Sequence, residues 1–392
     1  MAATLTRQPA RRSVLAGNTV LAFLVLGLSN AIIGPSLPWL AHHWGVALAD
    51  AGVLFTAQFG GACVTVVLAG ATLDRLGRKP LLVGGLLGMT GGLLGLAFAP
   101  NLPVAAGGAA LLGLGFGALD VTLNIFIADL YPAARAMALN LTNGTFGLGA
   151  LAGPLLVSFA LQGTGAPAAV LVGAAGGVAL IAGLYGVLRF PPHLDESREA
   201  APAGSGLQVL RHGYVLATAL MFFLYVGLES GVGAWLFSFA QQGAALTTEV
   251  AAGVVSTYWL AFTLGRLGAG VLAGRVAETA LVWGGALIGA LGAAALALLP
   301  GSVAGLFVGA ALCGLGFAPI FPTAFGLATA RYPATAGAVS SVLVLGGSLG
   351  GAVLPYAIGR LLAASGVSLA AGSIAACALV VVAIQVGVMR KT

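Results

Sequence analysis

The chain has 392 residues, 59% of them hydrophobic and only 7% charged, with 16 Lys and Arg against 10 Asp and Glu. Soluble domains carry about 25% charged residues, so this composition cannot build a water-facing surface and most of the exterior must face lipid. The net charge of +6 sits in short segments between apolar runs, which points to contact with anionic membrane lipids rather than nucleic acid.

Taken in chain order, apolar runs recur that are each long enough to cross a hydrocarbon core of about 30 Å as a helix. Charged, Pro and Gly clusters delimit twelve: 14–40, 50–73, 81–99, 103–129, 136–161 and 167–190, then 213–240, 249–275, 279–299, 302–329, 335–361 and 367–389. The first follows Arg7, Arg11 and Arg12 but is too long for a signal-peptide core, so it reads as a span. Short alternating segments, the mark of a membrane barrel, are absent. Between spans six and seven, PPHLDESREAAPAGSG (191–206) has no apolar period and reads as a flexible linker. The expected fold is all-α and polytopic, with six-helix bundles over 1–190 and 213–392 joined by a linker over 191–212.

With the N-terminus in the cytoplasm, 14 of the 16 basic residues fall on the inner side; Arg360 is outside and Arg266 lies within span eight. Both termini are therefore expected in the cytoplasm of a cell that carries the protein in its plasma membrane. The three cysteines (Cys63, Cys313, Cys377) fall in spans and read as packing residues. Trp39, Trp44 and Trp283 lie near span ends, where an interfacial belt accounts for them.

The two halves repeat. GAALLGLGF at 108–116 returns as GAALCGLGF at 309–317, and at the same offset of 201 YPA (131–133) returns at 332–334 and Pro154 matches Pro355. Spans two and eight align at an offset of 200, pairing Gly70 with Gly270 and Arg75 with Arg275. Two halves in the same order imply a pseudo-two-fold axis along the membrane normal and a binding site between them near the midplane, the plan of rocking transporters. The halves differ where Asp74 meets Gly274, Asp120 meets Phe321 and Asn124 meets Phe325. A shared scaffold needs none of these polar residues.

GATLDRLGRK (70–79) resembles the loop 2–3 signature of the major facilitator superfamily, Gly-x-x-x-Asp-Arg-x-Gly-Arg-Lys. The resemblance extends over the twelve spans, the linker and the repeat. It implies that Gly70, Asp74, Arg75, Gly77, Arg78 and Lys79 form a gating loop that latches the cytoplasmic ends of the halves together in the outward-open state. FLYVGLESGVGAW (223–235), GFGALDVTLN (115–124), LNLTNGTFGLGALAGPLL (139–156) and GFAPIFPT (316–323) resemble the fucose/glucose/galactose symporter branch. The fucose symporters of that branch also carry an acid late in span one, where this chain reads NAIIGPSLP (30–38) with no carboxylate.

Asp120 and Glu229 lie midway along spans four and seven. An acid at the bilayer centre costs about 2.5–3.5 kcal/mol on insertion scales, so it is expected to face a cavity and to have a role. Both are candidates for proton coupling, Asp120 foremost because the resemblance places the symporter acid there. Asn124, Asn140, Asn143, Glu229, Trp235, Tyr258 and Trp259 suit a sugar site: amides and carboxylates bond hydroxyls, and aromatic rings cover the apolar face of a pyranose. Arg266 either pairs with a carboxylate or snorkels towards the cytoplasm.

GGSLG (346–350) mimics a nucleophile motif and GLGFG (113–117) a nucleotide loop, but both lie inside spans and read as helix packing. No Walker lysine motif occurs, so transport is gradient-driven or passive. No enzyme activity, metal or cofactor is expected. The expected partners are a hexose-like sugar, a proton or sodium ion, and lipid, with the protein a monomer. The alternative is a proton-coupled exporter of drugs or metabolites on the same fold.

Overall fold

The computed structural model describes residues 12–131, 135–191, 209–272 and 275–389, and of 67–76, 128, 135–140 and 388–389 the backbone only. Most of the expected linker, residues 192–208, lies outside this description. The helices of the first half are α1 (Arg12–Ala31, continuing as Ile33–Trp44), α2 (Leu48–Ala51 and Val53–Leu76), α3 (Arg78–Ala97), α4 (Leu102–Leu130), α5 (Arg135–Gly163) and α6 (Ala168–Val187). The second half has α7 (Gly213–Ala244), α8 (Thr248–Leu272), α9 (Glu278–Leu298), α10 (Val303–Phe317 and Ile320–Arg331) and the stretch Ala336–Met389. That last stretch turns at Gly366, whose φ of 76° only glycine adopts without strain, and so supplies two passes, α11 and α12. Twelve spans result. Below, the end of the bundle where α6 stops and α7 starts is the linker end, and the other is the far end.

Local chemistry sets the breaks. Pro35 and Pro38 withhold two helical N–H donors just after the interruption of α1 at Ile32, and Ser36 Oγ donates to the Ile32 carbonyl at 2.7 Å. Asn101 caps α4 by accepting from the Val104 N–H at 3.1 Å, and Ser302 caps α10 by accepting from the Gly305 N–H at 3.1 Å.

These two caps are 201 residues apart, and the correspondence continues through the fold. Helices α2 and α8 begin at 48 and 248, α3 and α9 at 78 and 278, α4 and α10 at 102 and 303, α5 and α11 at 135 and 336. The left-handed residues that end α1 and α7, Gly45 and Ala245, are 200 apart.

The repeated GAAL(L/C)GLGF segment is explained by packing. A Cβ on Gly113 would collide with the backbone of Gln58 in α2, and one on Gly314 with the backbone of Tyr258, the equivalent residue of α8. On the adjoining face Gly115 closes on Gly85 and Met89 of α3, and Gly316 on Gly285 and Gly289 of α9, again equivalent positions. Lipid tails are as apolar as leucine, so span association depends on such close backbone approach.

The prediction is direct. Gly113→Leu should destabilise the detergent-solubilised protein by about 1–3 kcal/mol, the usual cost of overpacking, seen as a lowered thermal midpoint. Gly107→Leu, where an added side chain meets open space, should leave the midpoint unchanged.

Candidate functional site

The halves meet along two seams, α2 against α11 and α5 against α8. Thr56 Oγ1 donates to the Ala352 carbonyl at 2.8 Å, and Ser256 Oγ donates to the Leu151 carbonyl at 3.0 Å. Donors and acceptors are equivalent positions of the two halves, so one bond is the two-fold image of the other. Deeper along the helices Cys63 lies beside Ser348 in one seam, while Thr263 lies against Gly147 in the other, again at equivalent positions.

Towards the far end the halves are sealed. Gly34 of α1 comes so close to Ala234 of α7, its own two-fold equivalent, that a Cβ would stand 2.8 Å from the Ala234 oxygen. Trp235 is fully buried, with its Nε1 donating to the Pro355 carbonyl at 2.6 Å and its ring edge-on to Phe55 at 6.2 Å. Arg360 Nη1 meets Asp50 Oδ1 across the halves at 2.8 Å, with both side chains about half exposed.

Beneath this seal lies a narrow pocket near the two-fold axis, lined by Asn30, Phe59, Glu229, Ser230 and Trp259 among others. Asn30 and Ser230 are equivalent positions, as are Phe59 and Trp259. Glu229 stands opposite Ser29, so the carboxylate is what one half adds. Tyr225, one turn earlier on α7, donates its hydroxyl to Glu229 Oε2, and Tyr258 donates to the Glu229 backbone carbonyl at 3.1 Å. Trp259 Nε1 is buried without a partner, and the Gln58 amide reaches Asn30 Oδ1 only at 3.4 Å.

A second cleft, about 500 Å³ with its mouth, runs along α5 and α8 towards the linker end, past Asn143, Phe146, Phe262, Thr263 and Arg266 as far as Gly270. Phe146 and Trp259, edge to face at 6.2 Å, stand between the two cavities. Beside this cleft Asn143 Nδ2 donates to Asn124 Oδ1 at 3.0 Å, and Asn124 Nδ2 donates to Asp120 Oδ1 at 3.2 Å and to the Asp120 backbone carbonyl at 2.7 Å. Arg266 interacts electrostatically with both Asp120 and Glu229, and its guanidinium lies 4.5 Å above the Phe262 ring.

Of the residues expected from sequence, Asp120, Asn124 and Asn143 are thus brought together, and Glu229 joins Trp259. Trp235 belongs to the seal and Tyr258 is buried behind Glu229. The side chains of Asn140, Asp74 and Arg75 and the surroundings of Gly70 lie outside what the structure describes. Gly77 has φ 73° ahead of α3. Arg78 is buried and bonds Asp129 at the end of α4 at 2.6 Å, and Lys79 donates to the Leu188 carbonyl at 2.7 Å. Both interactions stay within the first half. Asn30, Ser230 and Phe59 escaped the sequence reading; the 200-residue offset carried into α1 and α7 is the signal that finds them.

Two parallel six-helix repeats with cavities between them at mid-span define a membrane transporter of small molecules, not an enzyme. The chain belongs to the Major Facilitator Superfamily, whose family model matches residues 19–355. It is 24% identical over 380 residues to the yeast (Saccharomyces cerevisiae) "Bypass of stop codon protein 6", covering 87% of this chain and 75% of that protein. It is 26% identical over 280 residues to the mouse (Mus musculus) "Sodium-dependent glucose transporter 1A", covering 62% of this chain and 65% of that one. Among solved structures, the E. coli fucose:proton symporter superposes with TM-score 0.68 at 20% identity, covering 97% and 99% of the two chains. A nucleoside transporter superposes with TM-score 0.79 at 15% identity, covering 96% and 99%.

Trp235→Leu removes the ring that reaches Phe55 and Gly52 of the first half. Losing that aromatic contact should weaken the far-end seal by about 0.5–1.5 kcal/mol, a roughly 2–10-fold shift in population. Spin labels at positions 47 and 365 should report longer distances in the variant.

Proposed function

We propose that the protein carries a hexose-sized sugar across the plasma membrane by alternating access, coupled to protons. The observation that carries this reading is the axis pocket. It combines a carboxylate (Glu229), an amide (Asn30) and a hydroxyl (Ser230) with the rings of Trp259 and Phe59, residue types that suit a pyranose. The names of the mouse relative and of the fucose:proton symporter support the same substrate class.

With the linker end in the cytoplasm, as the basic loops favour, the sealed far end makes this an inward-facing arrangement. Asp120 then lies on the cytoplasmic route as the candidate proton carrier. Glu229 is the candidate for holding sugar hydroxyls, with Asn124 and Asn143 fixing Asp120 from the side. Sodium is the second reading for the coupling ion, favoured by the name of the mouse relative.

The test is uptake of labelled glucose into proteoliposomes. An inward proton gradient should drive accumulation; a response to sodium alone would replace the ion, and no uptake of glucose or other hexoses would remove the sugar. Asp120→Asn should abolish accumulation but leave equilibration. Glu229→Gln should weaken sugar binding by about tenfold or more, because hydrogen bonds to a charged group contribute about 1.5–3 kcal/mol.

A further inference from the structure

The residues that suit a sugar are divided between two cavities. Asn30, Glu229, Ser230 and Trp259 face the axis pocket, whereas Asn143, with Asn124 and Asp120 behind it, stands at the cleft that runs to the linker end. A pair of rings separates them. Phe146 of α5 lines the cleft, Trp259 of α8 lines the pocket, and the two meet edge to face at 6.2 Å across the halves.

The two rings differ in freedom. Trp259 is buried between the backbone of α7 at Gly233, where an added Cβ would stand 3.2 Å from the indole, and the Phe262 ring at 5.7 Å. Phe146 is half-buried. Its main chain is held because its carbonyl lies against Gly27 of α1, so its motion is confined to the side chain. The ring rests edge-on against Phe116 of α4 at 6.4 Å. Towards the linker end it has room to turn: a Cβ on Gly144 or Gly270, both in the cleft wall, would meet nothing within 4 Å. The repeat does not require this barrier. The two-fold places Gly347 opposite Phe146 and Phe59 opposite Trp259. Gly347 lies against Val226 of its own half, and Phe59 packs on Gly351 of α11. At this level the α2–α11 seam carries one ring and the α5–α8 seam carries two.

We propose that Phe146 is a gate residue. With its ring against Trp259 the axis pocket is closed towards the linker end. When the ring turns away, pocket and cleft join into one chamber that Glu229 and Asn143 both face. This rests on the axis pocket being the substrate site. A pyranose carries hydroxyls around its whole rim and needs hydrogen-bonding groups on more than one side. The joined chamber supplies two sets where the narrow pocket supplies one.

The test uses the full-length, detergent-solubilised protein and needs no substrate. Ser230→Cys places a thiol in the axis pocket. Peptide mass spectrometry reads its modification by a charged, hexose-sized methanethiosulfonate separately from that of Cys63, Cys313 and Cys377. Adding Phe146→Ala should raise the rate at position 230 by about 2–10-fold, the shift that follows from losing an aromatic pair. Phe146→Tyr, which keeps the ring, should not raise it. Thr263→Cys, already in the cleft, should react equally with and without Phe146→Ala. Equal rates at 230 in the two backgrounds would overturn the gate. So would a gain at 230 together with a longer distance between spin labels at 47 and 365, because the reagent would then be entering through the far end. Phe146→Leu, which fills more of the space, takes the place of an alanine variant that does not fold, with the same expectation. If the wild type takes up no glucose, the sugar reading fails, while the labelling rates still decide the gate.

Discussion

Inside the hydrocarbon core a polar group finds no water, so each must bond within the protein or face a cavity. The seams of this protein are built on that constraint. Thr56 and Ser256 send their hydroxyls across the halves to the carbonyls of Ala352 and Leu151. Each acceptor lies three residues before a proline inside its helix, Pro355 and Pro154. Proline withholds an N–H and its ring displaces the preceding turn, which bends the helix and turns carbonyls outward. The carbonyls left without a helical donor are those of Gly351 and Ala150, four residues before each proline, and the acceptors used across the seams are their immediate neighbours, Ala352 and Leu151, in the same bent turn.

The contrast between contacts within and between the halves follows. Within each half, glycines bring backbones into direct contact, α4 on α2 and α3, α10 on α8 and α9. Such contacts resist sliding because any Cβ there collides with main chain. Between the halves, the described residues make hydrogen bonds, ring contacts, the close approach of Gly34 to Ala234 at the far end and one exposed ion pair, Asp50–Arg360, of a type that contributes about 0–1 kcal/mol. Each bundle is stiff and the joint is weak.

Sequence displayed the spans, the repeat and the two mid-span acids because each leaves a one-dimensional trace: length, self-similarity, or a charge in an apolar run. It could not display which side chains meet across a seam, since those partners are 100 to 300 residues apart and their pairing depends on how two bundles dock. Trp235 illustrates the limit. An aromatic residue near an acid suits a sugar site, yet its ring is fully buried between α7 and α11 and its N–H goes to Pro355. Arg78 and Lys79 are similar: a basic loop signals topology, but the bonds to Asp129 and Leu188 that commit them to the first half follow from where α4 and α6 end. Asn30 was visible as a residue, and only its two-fold partner Ser230 shows why it faces the axis.

A weak joint between stiff bodies is what alternating access needs. At about 1 kcal/mol for each of the two symmetric hydrogen bonds and less for the ion pair, the polar part of the joint is worth on the order of a few kcal/mol. A minor state at that separation is populated at about 0.1–10%, so the forms of opposite facing are accessible to one another without any large driving force. A symmetric joint, however, favours neither form in response to a ligand. Only a differential interaction shifts such an equilibrium. Asp120, Glu229 and Arg266 are charges that the repeat does not duplicate, standing opposite Phe321, Ser29 and Val66, and on the function proposed above they are the groups through which a proton or a substrate biases a joint that is otherwise symmetric.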